Sequence, residues 1–201
     1  MANLVAPRGF VPSRYLNGVA WNGAVNMYVV LAAEANQINP GDAVKSAANG
    51  DANGIPAVTK AAGTDTVRGV VVGCLAANPN DPSLVGTQLD LTLQNIPAPK
   101  AKNYYVLVCD DPQVLFELSD DGLNVLDATS CNKNASFTVA NPTAPAQNSA
   151  SVLNTSSVNT NNTLNLRMMG LIQRADNAFG ANAKWLVRFN LHEFSSQLSG
   201  V

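Results

Sequence analysis

Three short pairs of residues in this 201-residue chain could do chemistry by type and spacing: Asp110-Asp111, Asp120-Asp121 and His192-Glu193. Paired carboxylates can move protons or hold a Ca²⁺ ion. A Ca²⁺ loop needs oxygen ligands at several alternating positions, and neither Asp pair supplies them. Both pairs stand beside Pro112 or Gly122, where Asp shapes a turn. Asp51-Ala52-Asn53-Gly54 likewise reads as a hairpin turn. His192 is the only histidine, which excludes a multi-histidine metal site. At the end of the last strand-like run it reads as a hydrogen-bonding side chain. There is no G-x-S-x-G, H-E-x-x-H or C-x-x-C. Gly69 to Gly73 lacks the Lys-Ser/Thr pair of a phosphate cradle. The chain is therefore not expected to be an enzyme, and neither a metal nor a cofactor is expected.

Cys74, Cys109 and Cys131 form an odd set without metal-like spacing. The first two lie in apolar runs, where a thiol acts as a small hydrophobe. All three are expected to be free thiols, in a chain made in a reducing cytosol. Three N-x-S/T sequons begin at Asn134, Asn154 and Asn161, as chance provides in a chain with 25 asparagines. No secretory signal is evident, and the longest apolar run, Gly69 to Ala77, falls short of the roughly 20 residues that cross a membrane. Charged residues are 13 % of the chain, against roughly 25 % in an average domain. With a net charge of −2 and no basic run, a nucleic-acid partner is not expected.

The elements that must position these residues are strands. Tyr104 to Cys109 and Val114 to Leu118 flank the first Asp pair. Leu89, Leu91 and Leu93 alternate with polar residues, as do Leu164, Leu166 and Met168, and Trp185, Val187 and Phe189. A period of two places one face in a core. Thr66 to Leu75 is a buried strand in which Gly69 and Gly73 allow a bulge. Met27 to Leu31 and Ala57 to Lys60 complete the set. Turn signals at short intervals make the fold mainly β, an antiparallel β-barrel or β-sandwich. Tyr104, Tyr105, Phe116, Trp185 and Phe189 read as core.

Two segments fall outside this pattern. Residues 1–24 read as an extended N-terminal arm on a single β-rich domain, 25–201. The arm has Pro and Gly spacing without a period, yet carries Phe10, Tyr15, Leu16 and Trp21. It could lie on its own domain, a neighbouring subunit or another protein; a neighbour is the expectation, with these four as interface anchors. Residues 141–162 read as a long Asn/Ser/Thr-rich surface loop.

Several segments together resemble the head decoration, or cement, proteins of tailed bacteriophages. Asn103 to Gly122 is similar to that family's strand, acidic-Pro turn and V-x-F-E strand. Ala6 to Gly18 with Trp21-Asn22-Gly23 looks like its opening motif, and Asn39-Pro40-Gly41-Asp42-Ala43-Val44 its G-D-x-V turn. Asp176-Asn177, Gly180 and Val187 to His192 resemble its closing segment, in which a His has a structural place. Asn132 to Thr163 departs from the family in its Asn, Ser and Thr content. The resemblance implies a homo-oligomer, a trimer or alternatively a dimer, that binds the major capsid protein on the virion's capsid exterior after synthesis in the host cytoplasm. The alternative is a carbohydrate- or receptor-binding β-sandwich of a tail or fibre, with Trp21 or Trp185 lining a sugar site.

Overall fold

The computed structural model describes residues 3–78, 93–143 and 147–195. The strand expected at Leu89 and Leu91 lies outside the described residues. The chain is nearly all β, in two packed parts. The strands are β1 (Val11–Tyr15), β2 (Asn26–Val30), β3 (Ala43–Gly50), β4 (Pro56–Lys60), β5 (Gly69–Leu75), β6 (Tyr104–Cys109), β7 (Val114–Ser119), β8 (Asn134–Ala135), β9 (Phe137–Thr138), β10 (Val152–Leu153), β11 (Leu166–Leu171) and β12 (Lys184–Phe189).

Strands β2-β4-β3-β5-β6 close into a barrel. Its pairings are antiparallel except that of β2 with β4, where Val29 faces Ala57 in parallel. Val30, Val44, Val58, Val71, Val106 and Val108 pack with Tyr28, Ile38 and Ile96 as one cluster. β-branched side chains suit this pleated, buried surface. The register of β5 on β6 shifts between Val71 and Gly73, the bulge expected from the glycines. A Cβ at Gly69 would lie 2.4 Å from the Cys109 carbonyl oxygen, so only glycine fits where these strands approach.

Strands β1-β7-β12-β11-β8 form the second sheet, antiparallel throughout. The alternation read from the sequence sets its faces: Val114, Phe116, Leu118, Trp185, Val187 and Phe189 all point into the largest core. Barrel residues Ala43 and Val70, Val67 just before β5, and Phe137 of β9 and Leu153 of β10 close that core from the other side. The turn into β12 is pinned by Asn177, whose amide donates to the Ile172 and Lys184 carbonyls at 2.8 and 2.9 Å. Its carbonyl accepts from the Lys184 N–H at 2.9 Å.

The first segment corrects the expectation of an arm that leaves its own domain. Val11 to Tyr15 pair with β7, so this stretch is a sheet strand. Phe10 is 1 % exposed and meets Phe116 and Phe137 edge-on and Phe189 at a tilt, with ring centroids 5.0–6.2 Å apart. Pro12 does not prevent this, because β1 stands at the sheet edge. The entry of the segment is fixed by two glycines. Phe10 N–H donates to the Gly41 carbonyl at 2.9 Å, and a Cβ on Gly9 or Gly41 would come within 2.4 Å of the facing backbone oxygen. The Pro-Arg-Gly-Phe stretch and the Asn-Pro-Gly-Asp turn, separate in sequence, thus meet here. Asp42 of that turn makes a buried ion pair with Lys60 at 2.8 Å.

The Asn/Ser/Thr-rich stretch is likewise not a free surface loop. Val152 and Leu153 pair with Thr138 and Phe137, and Ser149, Ser151, Leu153 and Thr155 are buried. Hydroxyls replace apolar packing here: Ser149 donates to Ser151 at 2.9 Å, and its N–H to the Pro40 carbonyl at 2.8 Å. Polar groups so satisfied can be buried without a large cost.

The three cysteines are unpaired. Cys109 is buried as expected, whereas Cys74 and Cys131 are half-buried. Burial pushes the Cys74 and Cys109 thiols up to about 12, so the reactive thiolate is scarce at neutral pH. In the native protein, iodoacetamide should modify Cys131 first and Cys109 slowest. After denaturation without reductant, mass spectrometry should find all three alkylated; an intact mass two protons light would contradict this.

Candidate interaction surface

The four residues expected to anchor an interface do not share one surface. Phe10 belongs to the core, and Tyr15 and Trp21 are half-buried against it. The Tyr15 hydroxyl donates to Asn22 Oδ1 at 2.8 Å. Residues 13–21 fold back as a hairpin, with Tyr15 N–H on the Val19 carbonyl and Trp21 N–H on that of Ser13. Of the four, Leu16 at the hairpin tip points outward, 43 % exposed. Trp185, the other tryptophan considered for a sugar site, is fully buried and donates from Nε1 to Asp120 at 3.2 Å.

The acidic pairs act in the fold. Asp111 and Asp121 accept from N–H groups two residues on, at 2.7 and 3.1 Å, as Asp does in turns. Asp110 and Asp120 point inward, and burial pushes the Asp120 carboxyl up. Asp110 accepts from the Tyr28 hydroxyl at 2.5 Å and from Asn26 Nδ2 at 2.9 and 3.1 Å. Arg68 Nε donates to the Tyr28 oxygen at 3.0 Å, and Arg68 Nη1 to Glu193 at 3.1 Å. Glu193 accepts in addition from Ser46, N–H at 2.8 Å and hydroxyl at 2.5 Å. The Arg68 guanidinium lies 4.0 Å from the Phe194 ring centroid. Burial and the Asp110 hydrogen bond raise the Tyr28 hydroxyl to about 12, so it stays a donor. Arg68 pairs with Glu193 and reaches Asp110 through the Tyr28 hydroxyl, so the network ties the segment after β12 to the barrel. Beside them His192, 1 % exposed, accepts through Nδ1 from the Phe194 N–H at 3.1 Å. Burial lowers its pKa to about 4, outweighing the pull of Asp110 and Glu193, so it is neutral at pH 7. This assembly holds the barrel to the sheet.

Outward-facing groups gather in two places that sequence reading missed. The first is one end of the five-stranded sheet. Leu4, Val5, Leu123 and Val125 are 69–76 % exposed there, and Phe179 is 47 % exposed. Asn3 joins the first two to the last, donating to the Ala178 and Ala181 carbonyls at 3.0 Å and accepting from the Ala178 N–H. Asp120 N–H bonds the Ala183 carbonyl at 2.9 Å, which brings the 120–125 turn beside them.

The second is the outer face of the same sheet. Arg167 of β11 stands directly opposite Arg188 of β12. The β7–β12 pairing ends at Val187–Phe116; continuing its register by one residue sets Arg188 level with Leu115 of β7, which faces Arg14 of β1. Three arginines scattered in sequence therefore share one row across the sheet. Arg167 and Arg188 were legible at polar sites of alternating strands, whereas Arg14 lay in a segment without a period; the inter-strand register was not legible. Arg167 and Arg188 line a cleft of about 500 Å³ with Leu16, Met169, Asn132 and Asn190. Comparison with family models, curated proteins and solved structures finds no match.

Proposed function

We propose that this chain is a structural virion protein that decorates the outside of a tailed-phage head and clamps the seams between capsomers. It acts by binding, not by catalysis, as a homo-oligomer on the major capsid protein, with a trimer preferred to a dimer. Made in the host cytoplasm, it ends on the capsid exterior. The observation that carries this reading is that Leu4, Val5, Leu123, Val125 and Phe179 stand exposed on segments that hydrogen bonds bring to one end of the sheet. Clustered exposed apolar residues favour burial against protein. The low share of charged residues agrees with a surface largely contacted by other chains. The ordered motifs similar to the decoration family supply the class of partner.

A clamp that binds the assembled shell and not its parts stabilises it by about 1.4 kcal/mol for each tenfold of concentration above the dissociation constant. Many symmetric copies multiply that effect. Added to heads stripped of it, the protein should therefore raise the temperature at which they disrupt. Leu4→Ser with Val5→Ser and Leu123→Ser should weaken attachment about tenfold or more. Its own melting should barely change, because exposed substitutions usually stay within about 0.5 kcal/mol each. Attachment unchanged in the triple variant would remove the apolar end from the interface.

A further inference from the structure

The row of arginines is arranged at a cost to the fold. Like charges directly opposite in an antiparallel pair destabilise it, and Arg167 faces Arg188. Among the described residues, Arg14, Arg167 and Arg188 make no ion pair. Arg188 spends one N–H on the Pro112 carbonyl at 3.0 Å, and among the described residues its other four donors have no hydrogen-bond partner. Elsewhere on the same sheet the charges are compensated. Arg174 holds Glu117 with two hydrogen bonds, at 2.9 and 3.0 Å, and Lys184 and Arg174 share Asp176. The uncompensated row is thus a local property, not the habit of this surface.

We propose that this face binds an acidic, extended segment of a partner protein. Its carboxylates would sit on Arg167 and Arg188, with Arg14 further along the row. An apolar side chain between them would rest on Leu16 and Met169 in the cleft. Guanidinium groups suit this partner because their planar fork matches a carboxylate in two parallel hydrogen bonds. The two arginines stand on neighbouring strands, about 5 Å apart at the backbone, close enough to hold one carboxylate jointly or two side by side. Nucleic acid fits less well. The row offers three positive charges in a chain of net charge −2, and Phe189, the aromatic residue lining the cleft, is 3 % exposed and cannot stack a base. This inference does not rest on the virion reading, since an acidic partner could belong to a shell or to any other assembly.

Fluorescence anisotropy with a short labelled peptide of alternating Glu and Leu tests it, beside a Lys/Leu peptide and a single-stranded DNA oligonucleotide. The Glu/Leu peptide should bind saturably at low salt and weaken as salt rises, and the Lys/Leu peptide should not bind. Arg167→Gln and Arg188→Gln should each weaken binding about tenfold. Arg167→Gln should melt no lower than the wild type, because it removes a like-charge opposition. Absence of saturable binding, or affinity unchanged in both variants, would overturn the proposal. So would tighter binding of the DNA through the same arginines, which would make the partner a nucleic acid. A loss of binding accompanied by lower melting of Arg167→Gln would mean that the pair serves the fold.

Discussion

Phe10→Ala is expected to destabilise the protein by about 4 kcal/mol, the range for emptying a fully enclosed phenylalanine site. Phe10 fills the gap between Phe116, Phe137 and Phe189, and so joins β7, β9 and β12. The facing backbones at Gly9 and Gly41 are already in contact and cannot close in to fill the space. For a chain of this size the melting temperature should fall by about 10 °C. Tyr15→Ala should cost less, since its ring is half-buried and its hydroxyl bonds an exposed Asn22. Calorimetry on the two variants checks this ordering. A melting temperature for Phe10→Ala within about 2 °C of the wild type would restore the arm as a separable appendage.

The arm shows where sequence reading reaches its limit. The strands with clean alternation, β7, β11 and β12, were legible because alternate residues of each enter the core. The turns at Asp111 and Asp51 were legible from residues that accept from their own backbone. Phe10 was recognised as needing burial, but its partner was not. Its partners lie more than a hundred residues away and are brought near by strand order. β1 itself lacks a period, because a register shift at Ser13 breaks the alternation. The stretch 141–162 misled by composition: serines and threonines at buried positions there are satisfied by each other, by backbone and, for Thr155, by the Asp121 carboxylate. The arginine row depends wholly on register, which no single strand encodes.

Acidification should remove about 3 kcal/mol of stability between pH 6.5 and pH 4 through His192 alone. The folded imidazole is held neutral until about pH 4, whereas in the unfolded chain it takes a proton at its ordinary value of 6.5. Between those values the unfolded state binds more protons, so stability falls as pH falls; above pH 6.5 the contribution is constant. Asp120 acts in the opposite sense. Its carboxyl is raised by burial, so the folded state keeps that proton to higher pH than the unfolded chain. The wild-type curve combines both, and a His192→Gln variant separates them. Gln retains an acceptor for the Phe194 N–H and does not titrate. Urea unfolding of both proteins across this range should give curves that differ by a slope confined to pH 4–6.5. Parallel curves would mean that His192 is reached by water and protonates in the folded state.

The claim that this protein clamps a phage head is met most directly by the composition of the particles themselves. Quantitative mass spectrometry of purified virions, with the major capsid protein as internal standard, measures it. The account predicts that the chain is present at a fixed ratio to the capsid protein, matching one oligomer per symmetry site, and is accessible to surface labelling on intact heads. Absence from the particles, or a trace that varies between preparations, would contradict it.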